Sequence, residues 1–149
     1  MIEERIREEM KTAMKARDSE RLKTLRSLVG AIQVESVAGK SATALDDKAV
    51  MSVLNSEAKK RKESIVAFTE ADRPEMVKAE EAELEIIAEF LPEPLSEVEL
   101  TSIVDTVISE NSFSSPADMG NTMKLVNAQV QGRADGKAVA DLVKSKLLG

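Results

Sequence analysis

Gly132-Arg133-Ala134-Asp135-Gly136-Lys137 is the stretch whose residue types and spacing could hold a phosphate. Two glycines four apart flank a guanidinium and an acid of the kind that caps helices, and Lys137 falls in the first turn of a helical pattern. Free backbone N–H groups and the positive end of the helix dipole would meet Arg133 and Lys137 there, a combination that suits an oxyanion. The same residues also compose an ordinary tight turn, with Gly132 ending one helix and Asp135 capping the next. Upstream, Met119-Gly120-Asn121-Thr122-Met123-Lys124 carries a second signal. Gly120 sits in the first part of a helical pattern, where glycine costs about 1 kcal/mol relative to alanine. Either a neighbouring helix or an RNA sugar or phosphate approaches the backbone at that point. Lys124, one turn on, lies on the same surface. The candidate RNA-binding set is therefore Lys124, Arg133 and Lys137 for charge, with Gly120, Gly132 and Gly136 permitting close approach.

Most other chemistry has no residues to do it. The chain has no cysteine and no histidine, hence no thiol nucleophile, no thiolate metal site and no imidazole base. No phosphate-binding loop of the G-x-x-x-x-G-K-[ST] type, dinucleotide fingerprint or nucleophile elbow occurs, so no cofactor is expected. Aromatics are limited to Phe68, Phe90 and Phe113, too few to stack successive single-stranded bases. The net charge of −6 argues against coating nucleic acid through overall charge. Any contact must come from a local patch, because residues 96–149 alone carry five cations against seven acids. Lys59-Lys60-Arg61-Lys62 is the densest basic run. On a helix those four side chains point in four directions, which makes a solvated face paired with nearby acids such as Glu57 and Glu63 the plainer reading and a phosphate contact the sharper one. The acid run Glu80, Glu81, Glu83, Glu85 and Glu89 reads as a solvated helix face and not as a metal site. Met1-Ile2-Glu3-Glu4 opens an acidic amphipathic helix and not a signal peptide, and no apolar run reaches the roughly 20 residues of a membrane span. The expected compartment is the cytoplasm, with no membrane partner.

The elements that must position these residues are all helical. Leu91-Pro92-Glu93-Pro94-Leu95-Ser96 cannot lie inside a helix, since each proline removes an N–H and pushes the residue before it towards extended geometry. The chain is expected to divide there into a helical front domain over 1–91, a hinge at 92–95 and a three-helix tail over 96–149. In front, helices are expected over Ile2–Ala16, Ser19–Val37 after an Asp18 cap, Asp46 or Asp47 to Ala71, and Pro74 to Phe90 with Asp72 as cap, a hairpin-like set of about four. A loop is expected from Ala38 through Leu45. Inward residues are Ile6, Met10, Ala13 and Met14; Leu22, Leu25, Leu28, Val29 and Ile32; Val50, Leu54, Ala58, Ile65 and Phe68; and Val77, Leu84, Ile87 and Leu91. Arg61 falls on the third stripe, with its stem expected along the apolar face and its head reaching out. In the tail, Ser96 and Glu99 form a capping box for a helix over 97–110, Ser115-Pro116-Ala117-Asp118 starts the next, and Asp135 caps the last.

On these residues the chain resembles the YqeY family, stand-alone relatives of the tail of the B subunit of the tRNA-dependent amidotransferase (GatB/YqeY). The resemblance covers essentially the whole chain. It rests on Met14-Lys15-Ala16-Arg17-Asp18, Leu25-Arg26, Arg61-Lys62-Glu63-Ser64-Ile65 and Leu91-Pro92 with Leu95-Ser96 in front. In the tail it rests on Asp118-Met119-Gly120, Met123-Lys124 and Gly132-Arg133-Ala134-Asp135-Gly136, with Gln131 standing where the family pattern leads one to expect lysine. The resemblance implies a helical front domain and a three-helix tail. In the amidotransferase the similar tail holds the outer corner of the tRNA, and catalysis occurs elsewhere. It thus implies a tRNA- or structured-RNA-binding accessory factor, with an amidotransferase or another translation component as partner. Two other classes remain: a protein–protein adaptor in translation, and an amidotransferase-associated enzyme. Carbon–nitrogen ligase activity with glutamine as amido donor would belong to the larger complex.

Overall fold

A computed structural model of the chain describes residues 1–39 and 44–148, and its described residues form two units, Met1–Leu91 and a second beginning at Pro92. Every regular element among them is helical. The expected loop at 38–45 lies partly outside the described residues.

The first unit contains α1 (Ile2–Lys15), α2 (Ser19–Ala38), α3 (Asp47–Glu70) and α4 (Pro74–Ala88). Each pair of sequence neighbours, α1 with α2 and α3 with α4, makes the most extensive packing, and α2 and α3 bind the two hairpins together. Capping sets the starts. Asp18 accepts from the Arg21 amide at 3.1 Å, and Asp46 accepts from the Ala49 amide at 2.8 Å. The α4 start differs from expectation: Asp72 is in the left-handed region (φ 56°) and Arg73 holds the N-cap position without a side-chain bond. Pro74 at N1 fixes the helical φ there, so the helix begins without a side-chain acceptor. The core gathers Ile6, Leu25, Leu28, Ile32, Val50, Leu54, Ile87 and Phe90, with Met10, Leu22, Leu84 and Leu91 packed against it. Met14, expected inward, is 55% exposed, because Ala13 takes the buried position at the end of α1. Ile65 and Phe68 are half-buried.

The second unit contains α5 (Glu97–Asn111), a single 3-10 turn (Pro116–Asp118), α6 (Met119–Val130) and α7 (Gly136–Leu148). Ser96 and Glu99 form the reciprocal capping box, both bonds at 3.1 Å. Asp118 ties the next start, its carboxylate accepting from the Ser114 amide at 2.9 Å and the Ser115 amide at 3.2 Å. The core is aliphatic: Leu100, Val104, Val107, Val126, Val130, Val139, Val143 and Leu147, with Leu95 among the residues packed on it.

The segment 92–95 is not slack. The Leu95 amide donates to the Arg133 carbonyl at 2.8 Å, and Arg133 Nε donates to the Glu93 carbonyl at 2.9 Å. Pro92 and Pro94 restrict the conformations this segment loses on docking, which lowers the entropy cost of holding it.

Candidate functional site

The turn between α6 and α7 brings Gly132, Arg133, Gly136 and Lys137 together. α6 ends on two successive left-handed residues, Gln131 (φ 49°) and Gly132 (φ 78°). The Gln131 amide closes on the Asn127 carbonyl at 3.0 Å and the Arg133 amide on the Val130 carbonyl at 3.0 Å. Glycine is the residue that takes φ near 78° without strain, so Gly132 has a local structural reason independent of any ligand. Asp135 stands where a cap would, and its carbonyl accepts the Val139 amide at 3.0 Å. Its carboxylate, however, makes no hydrogen bond among the described residues, contrary to the expected side-chain cap. The amides of Gly136, Lys137 and Ala138 therefore have no acceptor among the described residues. Such donors at the positive end of a helix complement an anion.

Arg133 is half-buried and Lys137 exposed. Neither forms an ion pair among the described residues, and the Arg133 terminal amino groups, Nη1 and Nη2, have no partner there. Gly120 and Lys124 sit farther back on α6. They lie one turn apart on the exposed face, opposite the buried Thr122, Val126 and Val130. Asn127 and Gln131 continue the same face, which sequence reasoning passed over. A Cβ built on Gly120 or on Gly136 would meet no atom within 4 Å. Packing of a neighbouring helix, one of the two readings of Gly120, is thus not what the structure contains. Of the tail's other cations, Lys146 is bound to Asp105 at 3.1 Å, and Lys124 is unpaired among the described residues.

The first unit holds a second polar cluster. Arg61 is 8% exposed and not head-out as expected. Its Nη1 donates to the Glu57 carboxylate and, at 3.1 Å, to the Glu57 carbonyl, its Nη2 donates to Ser27 Oγ at 3.3 Å, and its Nε faces Glu83 at 3.6 Å. Three helices supply partners, which is what allows the charged head to stay inside. Lys60 bonds Glu57 at 3.2 Å, so half of the basic run 59–62 is engaged with acid. Elsewhere in this unit an open groove of about 610 Å³ is lined by Arg5, Glu8, Glu9, Arg21, Glu89 and Phe90 among others. Arg21 bridges Glu9 at 3.0 Å and Glu89 at 2.7 Å there. Among the described residues no cluster of acids suits a metal ion, and no helix is long and apolar enough to cross a membrane.

Comparison with known proteins agrees with the resemblance read from these motifs. A curated relative, "Altered inheritance of mitochondria protein 41, mitochondrial" of Lachancea thermotolerans, is 28% identical over 146 residues, covering 96% of this chain and 77% of its own. An uncharacterized protein of Schizosaccharomyces pombe is 31% identical over 93 residues, 62% of this chain and 74% of its own. The family described as Yqey-like protein matches residues 3–147, and the chain belongs to it.

Proposed function

We propose that the tail of this protein is an RNA-binding module that grips the sugar-phosphate backbone of tRNA or another structured RNA. The observation that carries the reading is the set of exposed cations Lys124 and Lys137, unpaired among the described residues, and the open Arg133 fork, together with Gly120 and Gly136, where an added Cβ would meet no atom within 4 Å. Unsatisfied amides at the start of α7 would share a phosphate with Lys137. Arg133 would supply a planar pair of donors and Lys124 a point charge. The only aromatic of the tail, Phe113, is half-buried, so the reading is of backbone shape and not of stacked bases. The amidotransferase-like family resemblance supports tRNA as the first RNA to try, with an amidotransferase or another translation component as partner and the cytoplasm as compartment. The relative's printed name places that protein in mitochondria.

A titration of the full chain against total tRNA at two salt concentrations tests this reading. Binding that weakens steeply with salt supports it, and a flat titration at low salt overturns it. A docking role for the first unit is favoured by Val34 and Val37, 71% and 76% exposed on α2, and Val66, 58% exposed on α3. That adaptor role takes the lead if the tRNA titration is flat.

A further inference from the structure

Arg133 has two tasks in the structure. Its carbonyl and its Nε hold the segment that leads into the tail, through the Leu95 amide at 2.8 Å and the Glu93 carbonyl at 2.9 Å. Its Nη1 and Nη2 hold nothing among the described residues. The edge formed by those two groups is the one a guanidinium uses for end-on, bidentate contact with a phosphate. Nε lies on a different edge, so the bond to Glu93 and a phosphate contact are geometrically compatible. They can be made together.

We infer that Arg133 couples phosphate binding to the docking of residues 93–95 on the tail, so that an RNA phosphate on the Nη edge tightens the Glu93–Arg133–Leu95 clamp. The inference rests on the RNA reading above and adds a conformational consequence to it. The physical ground is shared ordering. The Arg133–Glu93 bond is solvent-exposed, so in the free chain it competes with water and with the rotamer freedom of a long side chain. A phosphate that fixes the guanidinium removes that freedom, and the Nε–Glu93 bond then forms at lower cost. By linkage the converse holds: a formed clamp presents the Nη edge ready-made and raises affinity by the same factor. The Leu95 side chain packs on the tail core, so the clamp has a second anchor and does not depend on one bond. The flanking prolines keep the segment near its docked conformation.

Amide exchange at Leu95 reads the clamp directly, because its N–H is given to Arg133. The full chain is followed by NMR, alone and with saturating total tRNA, and the amide of Val104 in the core of α5 serves as reference. We expect tRNA to slow Leu95 exchange by about 5-fold or more, at the low end of measured couplings, without a matching change at Val104. Arg133→Ala and Arg133→Lys should each speed Leu95 exchange in the free protein and abolish the response to tRNA. Arg133→Lys keeps the charge, so its loss of coupling separates the fork from simple attraction. Circular dichroism confirms that the variants are folded. Binding of tRNA with no change at Leu95, or an Arg133→Ala chain that keeps parent-like protection there, overturns the coupling and leaves the RNA reading intact. A parent chain that does not bind tRNA overturns the RNA reading and the coupling together.

Discussion

Arg61 and Glu57, one turn apart on α3, form an ion pair closed from water: Arg61 is 8% exposed, and it donates to both the carboxylate and the carbonyl of Glu57. Burial pushes the Glu57 carboxyl up, but the bonds from Arg61 and Lys60 outweigh it and hold the group below its ordinary 4.5. A folded-state value below the unfolded one means that this pair stabilises the fold above about pH 4.5, and that the contribution is lost as pH falls through the lowered value. Arg61→Ala leaves Glu57 and Glu83 without their central partner. The expected cost at neutral pH is about 3–5 kcal/mol, read by urea denaturation, with a shallower loss of stability on acidification than the parent shows. An Arg61→Ala chain as stable as the parent would show that the buried pair contributes nothing.

Glu80, on the neighbouring turn of α4, is displaced in the opposite direction. Burial and then the adjacent Glu83 push its carboxyl above the ordinary 4.5. Its contribution is therefore present when it is protonated and is lost as pH rises through the raised value. Glu80→Gln should raise the melting temperature at pH 7 and have little effect at pH 4. A fall at pH 7 contradicts the account of this cluster.

Gly120 gives a test in which stability and function move in opposite directions. No atom lies within 4 Å of the position of an added Cβ, and alanine is the better helix former by about 1 kcal/mol. Gly120→Ala should stabilise the protein by up to that amount and weaken tRNA binding. Gly30 on α2 is equally open and serves as the control: Gly30→Ala should stabilise without changing RNA affinity. Equal RNA affinity for Gly120→Ala and parent would leave the glycine without a functional explanation.

The two units divide before Pro92, and the tail core is closed by its own residues. A fragment of residues 92–149 should be helical and melt cooperatively. A fragment of residues 97–149 lacks Ser96, which caps Glu99 at 3.1 Å, and lacks the Leu95 anchor. It should be less stable by at least about 1 kcal/mol. Equal stability of the two fragments would show that residues 92–96 are not part of the tail fold.

The sequence was legible where one helix decides the outcome. Asp18 and Ser96 act within three residues of themselves, so their caps follow from local spacing. The stripe of α2 buries Leu25, Leu28, Val29 and Ile32 as its periodicity marks, and leaves Leu22 half-buried. What could not be read depends on partners far away in the chain. Arg61 lies on the apolar stripe of α3, but its burial requires Ser27 from α2 and Glu83 from α4. Arg133 reads as a free surface cation, yet its Nε is occupied by a carbonyl forty residues earlier. Removing Arg133 should therefore cost about 1 kcal/mol of stability through the lost hydrogen bond. Asp135 has the spacing of a cap and makes no side-chain bond, so composition at a helix start does not determine whether the carboxylate engages.

Lys124 and Lys137 offer the most direct measurement of the central claim, because both are exposed and neither holds the fold through an ion pair among the described residues. The doubly substituted chain Lys124→Ala/Lys137→Ala should melt within about 0.5 kcal/mol of the parent. Its affinity for total tRNA is then measured from low to physiological salt beside that of the parent. The account predicts weaker binding to all tRNA species alike, and a plot of log affinity against log salt whose slope is shallower by roughly one unit for each lost phosphate contact. A double variant with the parent's affinity and the parent's slope contradicts the claim that these cations of the tail grip RNA.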